Sequence, residues 1–507
     1  MKNSISTQTR NQRNNTLTKF IVFLSLVIFT LQFAYAQNVG IGTTTPESSA
    51  MLDVNSTNRG FLVPRMTSIQ KDAISSPATG LLIYQTDNTP GFYLYTGTAW
   101  KKLSTDTDNK WLTTGNSGTT NGTDFIGTID NLDIDIRTNN VIRVRITSQG
   151  QIEILNTGKS VFLGEGAGEN DDLSDNNNTF IGHEAGNRNT TGSYNTATGY
   201  QALYFNTSGE KNTATGLQAL YSNQSGKRNS ALGIYSLYSN TEGNQNSSFG
   251  FKSLYSNNTG NYNSAFGDRA LYSNTTGEKN TAYGHVALFN NSDRSGLVAI
   301  GDSALYNNGI GATDNLEAIK NTAVGSRTLY SNTTGTSNTA IGSKAMYSNT
   351  EGVQNTAMGA NALQYNTGSV NSAFGAASMY HNTTGEMNAA FGRWSLFENR
   401  EGNENTAIGY KALKSDTIGS NNTAVGTHAL YYNKNRSHLV AVGDSALFYN
   451  SYGATENYHG KFNTAIGSNA LHNNTKGYNN TAVGYKALYS DTTGEANTAI
   501  GSNALYK

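Results

Sequence analysis

The stretch N-T-A-I-G-S-K-A-M-Y-S-N-T-E-G-V-Q runs from Asn338 to Gln354, and the same pattern begins again at Asn355. Its glycine, Gly342, has counterparts at 164, 182, 199, 216, 233, 250, 267, 284, 301, 325, 359, 375, 392, 409, 426, 443, 467, 484 and 501. The dominant step is 17 residues; two steps are 24, from Gly301 to Gly325 and from Gly443 to Gly467, one is 16, and the first, from Gly164 to Gly182, is 18. The two long units lie 142 residues apart and read alike, Gly311-Ala312-Thr313-Asp314-Asn315 beside Gly453-Ala454-Thr455-Glu456-Asn457, which marks duplication of a block of about eight units. A period this short cannot hold a helix pair, which takes roughly 30 residues or more, and Gly and Asn recurring twice per period oppose a helix. The chain is therefore expected to be mainly β, with residues 160–507 forming a parallel β-solenoid of 17-residue coils. Each coil should have two short extended runs, around Ala-x-Gly and around Ala-Leu-Tyr, separated by Asn/Thr/Gly turns. Gly199, Gly216, Gly233, Gly267, Gly342, Gly409 and Gly484 exemplify the turn anchor. Twenty anchors stacked at ~4.8 Å per coil give a rod roughly 90 Å long.

Side-chain alternation along the first run bears on assembly. Two residues before the anchor stands Ala in 17 of 20 units, with Phe162, Phe180 and Ser248 as exceptions, and one residue before it stands mostly Ile, Val, Leu, Phe or Met. Neighbours on a strand point to opposite faces, so both faces are apolar, whereas a thin one-chain solenoid has one interior. The second face is expected to be covered by another chain, since a continuous apolar stripe exceeds the patch a monomer tolerates. Three residues after the anchor only Ala, Ser or Thr occurs, as at Ala202, Ser236 and Thr328, small enough for close approach of backbones and a second argument for a homo-oligomer.

The repeat resembles the head of YadA-type trimeric autotransporter adhesins, whose units read close to N-S-V-A-I-G-x-x-A. Ser160-Val161-Phe162-Leu163-Gly164, Leu297-Val298-Ala299-Ile300-Gly301 and Leu439-Val440-Ala441-Val442-Gly443 lie nearest that pattern. The resemblance covers about residues 160–507 and implies a left-handed parallel β-roll, a homotrimer, and a cell-surface adhesin. Most units carry Thr where that family has Val, as in Asn338-Thr339-Ala340-Ile341-Gly342, which keeps the β-branched shape and adds a hydroxyl to that face. The unit is longer than the family's, implying longer outer turns, and family members end in a stalk and a β-barrel anchor where this sequence ends at Lys507 within a repeat.

Upstream, the first 36 residues hold Lys2, Arg10, Arg13 and Lys19 with no acid, an apolar run from Phe20 to Phe33, and Ala34-Tyr35-Ala36. The run is shorter than the ~20 residues of a membrane span and the small residues suit cleavage, so 1–36 reads as a secretory signal peptide. No other stretch suits a transmembrane helix, which leaves an extracellular or cell-surface product. All four prolines, Pro46, Pro64, Pro77 and Pro90, fall before a boundary near residue 104. Within 37–103 the capping box Thr67-Ser68-Ile69-Gln70 predicts a helix at about Ser68 to Ile74, and strands are expected at Gly80–Tyr84 and Phe92–Leu103 with a turn at Asn88–Gly91. The segments Val39–Pro46, Gly60–Thr67 and Ala78–Asp87 resemble the leader module of secreted fibre-like proteins of Gram-negative bacteria, implying a small β-rich (α+β) module. Residues 104–159 form a neck: Ser104–Gly122 is polar apart from Trp111 and Leu112, and Phe125–Leu155 alternates. There Ile134/Ile136 and Val144/Ile146 should share core faces, while Asp133, Asp135, Arg143 and Arg145 face solvent or pair across strands.

Chemistry is sparse. The chain has 507 residues, 14% of them charged, 35 basic and 35 acidic groups, 54 Gly and no Cys, which removes thiol chemistry, disulfides and a basic footprint for nucleic acid. Losing the basic leader would turn the balance mildly acidic. His183, His285, His381, His428, His438, His459 and His472 occupy different repeat positions and each reads as an exposed variant. Asp171, Asp172 and Asp175 cluster in an insertion, with a spacing unlike an EF-hand loop. Gly164–Gly168 and Val39–Gly42 lack a P-loop lysine and read as turns. No catalytic, cofactor or metal site is expected, and no enzyme. Asn stands four before the anchor in 17 of 20 units, as at Asn195, Asn212, Asn338 and Asn355, which predicts a ladder of stacked amides satisfying one another and the turn backbone. Tyr204, Tyr221, Tyr255, Tyr272, Tyr330 and Tyr489, five after the anchor, form a candidate aromatic ladder that either meets sugars and matrix proteins or stacks along the solenoid flank.

The expected function is therefore a secreted fibrous homotrimer that binds a glycan or matrix surface multivalently. The alternatives are a tail-fibre-like receptor-binding or structural protein, a β-helical polysaccharide-degrading enzyme, and an ice-binding protein. The last is disfavoured because the Thr residues share a face with the apolar residue before Gly, which places them in the interior.

Overall fold

The computed structural model describes residues 38–103, 126–155 and 157–507, and the chain divides into two compact units between Ile126 and Gly127. The expected signal peptide at 1–36 and the polar neck segment 104–122, with Trp111 and Leu112, lie outside the described residues.

In the first unit β1 (Val39–Ile41) pairs in parallel with β2 (Leu52–Val54), so of the turn expected over Val39–Gly42 only Gly42, with φ of 80°, bends the chain. A second sheet joins β3 (Arg65–Met66), β4 (Leu82–Gln85), β5 (Gly91–Tyr95) and β6 (Trp100–Lys102) in that order. Helix α1 (Ser68–Asp72) starts at Thr67, and both halves of the capping box form: Thr67 Oγ1 accepts from the Gln70 N–H and Gln70 Oε1 accepts from the Thr67 N–H. The expected single strand over Phe92–Leu103 is instead two, because Thr96 N–H bonds the Ala99 carbonyl and reverses the chain. Val63, Ile83 and Tyr93 are the buried core of this unit.

In the second unit β7 (Ile134–Thr138), β8 (Val141–Ile146) and β9 (Ile152–Ile154) form an antiparallel sheet. Ile134 faces Ile146, Ile136 faces Val144, and Asp135 faces Arg145, whose guanidinium donates to both carboxylate oxygens at 2.8 and 3.3 Å. These bonds, with one from Arg137, hold the Asp135 carboxyl down at about 2. The apolar residues share a face as expected, but it is not a core within the chain: Ile136 and Ile152 are 53% and 70% exposed.

From β10 (Val161–Leu163) to β29 (Thr498–Ile500) twenty three-residue strands pair in parallel, in sequence order, in one sheet. Each strand ends one residue before an anchor glycine, so the repeat arithmetic and the coils coincide. The expected second extended run is absent. In the quoted coil Lys344 and Met346 have φ of 57° and 50°, alternating with residues of ordinary φ, and the segment is a train of turns. Left-handed φ at a non-glycine costs roughly 1 kcal/mol or more, and the neighbouring coils supply what holds it: Lys344 N–H reaches back to the Ser326 carbonyl at 2.9 Å and Met346 N–H forward to that of Ala362 at 3.0 Å.

Two positions require glycine. Gly342 has φ of 130°, and a Cβ there would lie 2.6 Å from the carbonyl of Gly359 one coil on; the other anchors repeat this contact. Gly352 is crowded by the backbone of the next turn and by Asn349. The interior is filled by the Ala two before the anchor and by the small residue and Leu or Met three and four after it, as with the fully buried Ala340, Ala345 and Met346. The small residues Ala202, Ser236 and Thr328 are thus buried inside their own chain, and the close approach they permit is within the coil, not between chains. The first two coils solve the same volume differently. Phe162 and Phe180 replace Ala, and Gly168 and Gly186 stand where later coils have Leu; a Cβ at Gly186 would lie 2.5 Å from the Phe180 ring. The two rings stack at 5.4 Å and fill the space the missing Leu side chains leave.

Candidate functional site

Period-two alternation in each Thr-Ala-Ile strand sends Ala inward and sends Thr and the residue before glycine outward together. Ile300, Phe391 and Ile466 are 41%, 40% and 41% exposed, and Thr residues such as Thr339, Thr406 and Thr464 are half-buried between them. The outer sheet face therefore carries parallel columns of Thr and of large apolar side chains, among them the stacked rings Phe249, Phe266 and Tyr283, 4.6 and 4.4 Å apart, and Phe374 with Phe391 at 4.7 Å. This corrects the placing of Thr in the interior: within the chain it stands on the outer face, and a second chain would be needed to bury it.

The anchor glycines Gly199, Gly216, Gly233, Gly267, Gly342, Gly409 and Gly484 line up coil upon coil at the end of this sheet. Tyr204, Tyr221, Tyr255, Tyr272 and Tyr330 belong to one unbroken stack from Tyr204 to Tyr347, with centroids 5.1 to 5.4 Å apart and nearly parallel rings. Gln364 interrupts it. Tyr380 and Phe397 resume it, Lys414 bridges by lying over Phe397 and Tyr431, and Tyr489 continues it beside His472 and Tyr506. Inside the stack both faces of a ring are taken by its neighbours, so edges and hydroxyl tips are what a ligand could meet there. Burial, with help from neighbouring phenols, pushes the Tyr221, Tyr255 and Tyr330 hydroxyls up.

The Asn four before the anchor form a ladder whose amides serve chiefly the turn backbone and in places one another, as at Asn246 and Asn229. Asn212 N–H bonds Asn195 Oδ1 at 2.9 Å, and Asn195 Nδ2 bonds the Gly209 carbonyl at 2.8 Å, so these side chains serve the backbone. Amide-to-amide stacking occurs in a second column that the sequence reading passed over, seven residues after the anchor. Asn206 Nδ2 donates to Asn189 Oδ1, Asn223 to Asn206, and Asn240 to Asn223, at 2.6 to 2.8 Å. The signal was present as the first Asn of each Asn-Thr-Thr-Gly turn. Sequon asparagines Asn206, Asn274, Asn332 and Asn382 belong to this column and are fully buried, which closes them to modification in the folded coil.

His183, His285 and His438 are exposed as expected, whereas His381, His428, His459 and His472 are half-buried, His472 because it is a rung of the aromatic ladder. Asp171 belongs to the second ladder, accepting from Asn178 and Asn189 at 3.0 and 2.8 Å. Gly164–Gly168 is a turn, as read. Among the described residues no group of three or more His, Asp or Glu side chains is placed to hold a metal ion, and no helix is long and apolar enough to cross a membrane.

Both long coils are fastened by an arginine standing where the preceding coil would have its second glycine. Arg294 donates to the carbonyls of Asp314 and Ala312 at 2.8 and 2.9 Å, and Arg436 to those of His459 and Glu456 at 2.6 and 3.1 Å.

Residues 40–121 match the family described as a phage-tail-like trimerisation region. No curated protein and no solved structure matches the chain. A trimerisation region followed by a parallel β-solenoid fits a trimeric, fibre-like structural protein that associates with itself.

Proposed function

We propose that this chain is exported and forms a rod-shaped homotrimer at the cell surface, of the kind seen in YadA-like heads, which binds glycan or matrix surfaces through many weak, repeated contacts. The observation that carries this reading is the outer sheet face, whose apolar columns run the length of twenty strands and have no cover within the chain. Three copies packed face to face would bury those columns and leave the turns and the aromatic edges outward, where repetition raises avidity without any strong single site. No enzymatic role is part of the proposal. Mass measurement in solution tests it: a trimer is expected, and Ile300→Asp with Ile408→Asp should yield a folded but smaller species. A wild-type monomer would overturn it. Binding of the trimer to glycan and matrix-protein panels tests the adhesive half separately.

A second reading is favoured by the phage-tail-like match: a fibre that presents or spaces a receptor-binding element without adhering along its length. A trimer that binds no panel surface supports that alternative. A wild-type monomer that inhibits ice recrystallisation would instead assign the outward Thr columns to ice.

A further inference from the structure

The buried amide ladder contains three carboxylates. Asp171, Asp416 and Asp491 stand seven residues after an anchor glycine, where all other coils that reach this position have Asn. Each Asn rung donates an N–H to the rung before it, and a carboxylate has none to give. The result is visible in the ladder: Asn399 Oδ1 and Asn474 Oδ1, the acceptors immediately ahead of Asp416 and Asp491, are buried without a partner. Asp171 is the first rung and has no acceptor ahead of it.

Asp416 is fully buried. Its Oδ1 accepts from the N–H groups of Gly419 and Asn435 at 3.0 and 3.1 Å, and its Oδ2 from Asn433 and Asn422 Nδ2 at 2.8 and 3.1 Å. Its ladder neighbours, Asn399 on the coil before and Asn433 on the coil after, are neutral, as are Asn422 and Asn435. The charged group that acts on it is Arg436, whose guanidinium is committed to the carbonyls of His459 and Glu456. Removal from water outweighs the hydrogen bonds and pushes the carboxyl up to about 6.

We propose that Asp416 is a proton-operated rung: protonated, its O–H donates to Asn399 Oδ1 and closes the ladder; ionised, it releases that proton to solvent, leaves the acceptor bare and seals a charge in the core. The folded-state value lies above the ordinary 3.8, so the stabilisation is complete below about 3.8 and is lost as pH rises through about 6. The coils around residues 399–435 therefore loosen toward neutral pH. The duplicated block contains its own control, because Asn274 occupies the equivalent rung 142 residues earlier and Arg294 stands where Arg436 does.

Hydrogen exchange on the full chain, corrected for intrinsic rates, tests this by comparing peptides from 399–435 with those from 257–293. Relative protection of the first segment should fall on the order of 100-fold between about pH 4 and pH 7, and Asp416→Asn, the residue found at the other rungs, should abolish the difference. A pH-independent ratio in the wild type, or an unchanged pH dependence in Asp416→Asn, overturns the proposal. An infrared difference spectrum between the two proteins should also show a protonated carboxyl stretch near pH 5 that disappears above pH 7; its absence at acid pH overturns the assignment to Asp416.

Discussion

Asn257→Ala is expected to open the solenoid locally. Asn257 Nδ2 donates to Asn240 Oδ1 at 2.8 Å and to the Gly260 carbonyl at 3.1 Å, and its Oδ1 accepts from Asn274 at 2.7 Å. These losses are unequal. The Gly260 carbonyl keeps a bond from Asn246 Nδ2 and Asn274 Nδ2 keeps the Gly277 carbonyl, so both stay satisfied. Asn240 Oδ1 is buried and loses the donor that Asn257 gives it. One orphaned buried acceptor costs about 1–3 kcal/mol and the two other lost bonds add about 1 kcal/mol each, for a total of about 3–5 kcal/mol. Stability in a repeat protein is close to a sum over coils and their neighbours, so the cost should appear as lost amide protection in the coils holding Asn240, Asn257 and Asn274. Thr276→Ala, on the exposed side of the neighbouring turn, should stay within about 0.5 kcal/mol. Hydrogen exchange of both variants on the intact chain decides the matter. If Asn257→Ala loses no more protection than Thr276→Ala, the second ladder does not hold the coils together.

Gly342→Ala should break the pairing of β20 (Thr339–Ile341) with β21 (Thr356–Met358), because the added carbon meets the Gly359 carbonyl at 2.6 Å; exchange at Thr339 and Gly359, whose N–H groups donate across that pair to the Asn355 and Ile341 carbonyls, reads it. Phe180→Ala should cost about 3–5 kcal/mol, and the double variant Phe180→Ala/Gly186→Leu should recover much of that by restoring the filling used in later coils. A double variant no more stable than the single one, in exchange or chemical denaturation, would sink the exchange-of-volume argument. Arg436→Ala should expose residues 450–461 to limited proteolysis while the coil at 301–325 stays protected by Arg294. On acidification, the Asp135–Arg145 pair in the three-stranded sheet should persist until pH falls toward about 2, since its carboxyl is held below the ordinary 3.8; carboxyl titration by NMR reads this.

Much of the solenoid was legible because its determinants are local and repeated. Gly342 and its counterparts mark where each strand ends, Ala340 and Ile341 mark its two faces, and Thr67 with Gln70 marks the start of α1; in each case short-range sterics or hydrogen bonding leaves few alternatives. The errors fell where a residue's state depends on the coil above or below. Ala-Leu-Tyr looks like strand sequence by composition, but Met346 takes left-handed φ because bonds to Ala362 and its neighbours hold it there. The Asn-Thr-Thr-Gly turns looked like surface, yet Asn349 and its counterparts form a buried ladder, since an amide needs a partner one coil away before burial becomes favourable. The Phe180–Gly186 exchange of volume was invisible for the same reason: the two residues meet only once the coil closes.

By itself, then, the sequence determined the period, the alternation that sets Ala on one face of each strand and Thr with Ile on the other, and the places where only glycine fits. The tertiary structure decided which amides are buried, that the aromatic column stacks on itself, and that the outer sheet face remains open within one chain. The physical reason is that pattern fixes direction along a strand, while burial and hydrogen-bond satisfaction are settled by what the neighbouring coil brings into contact.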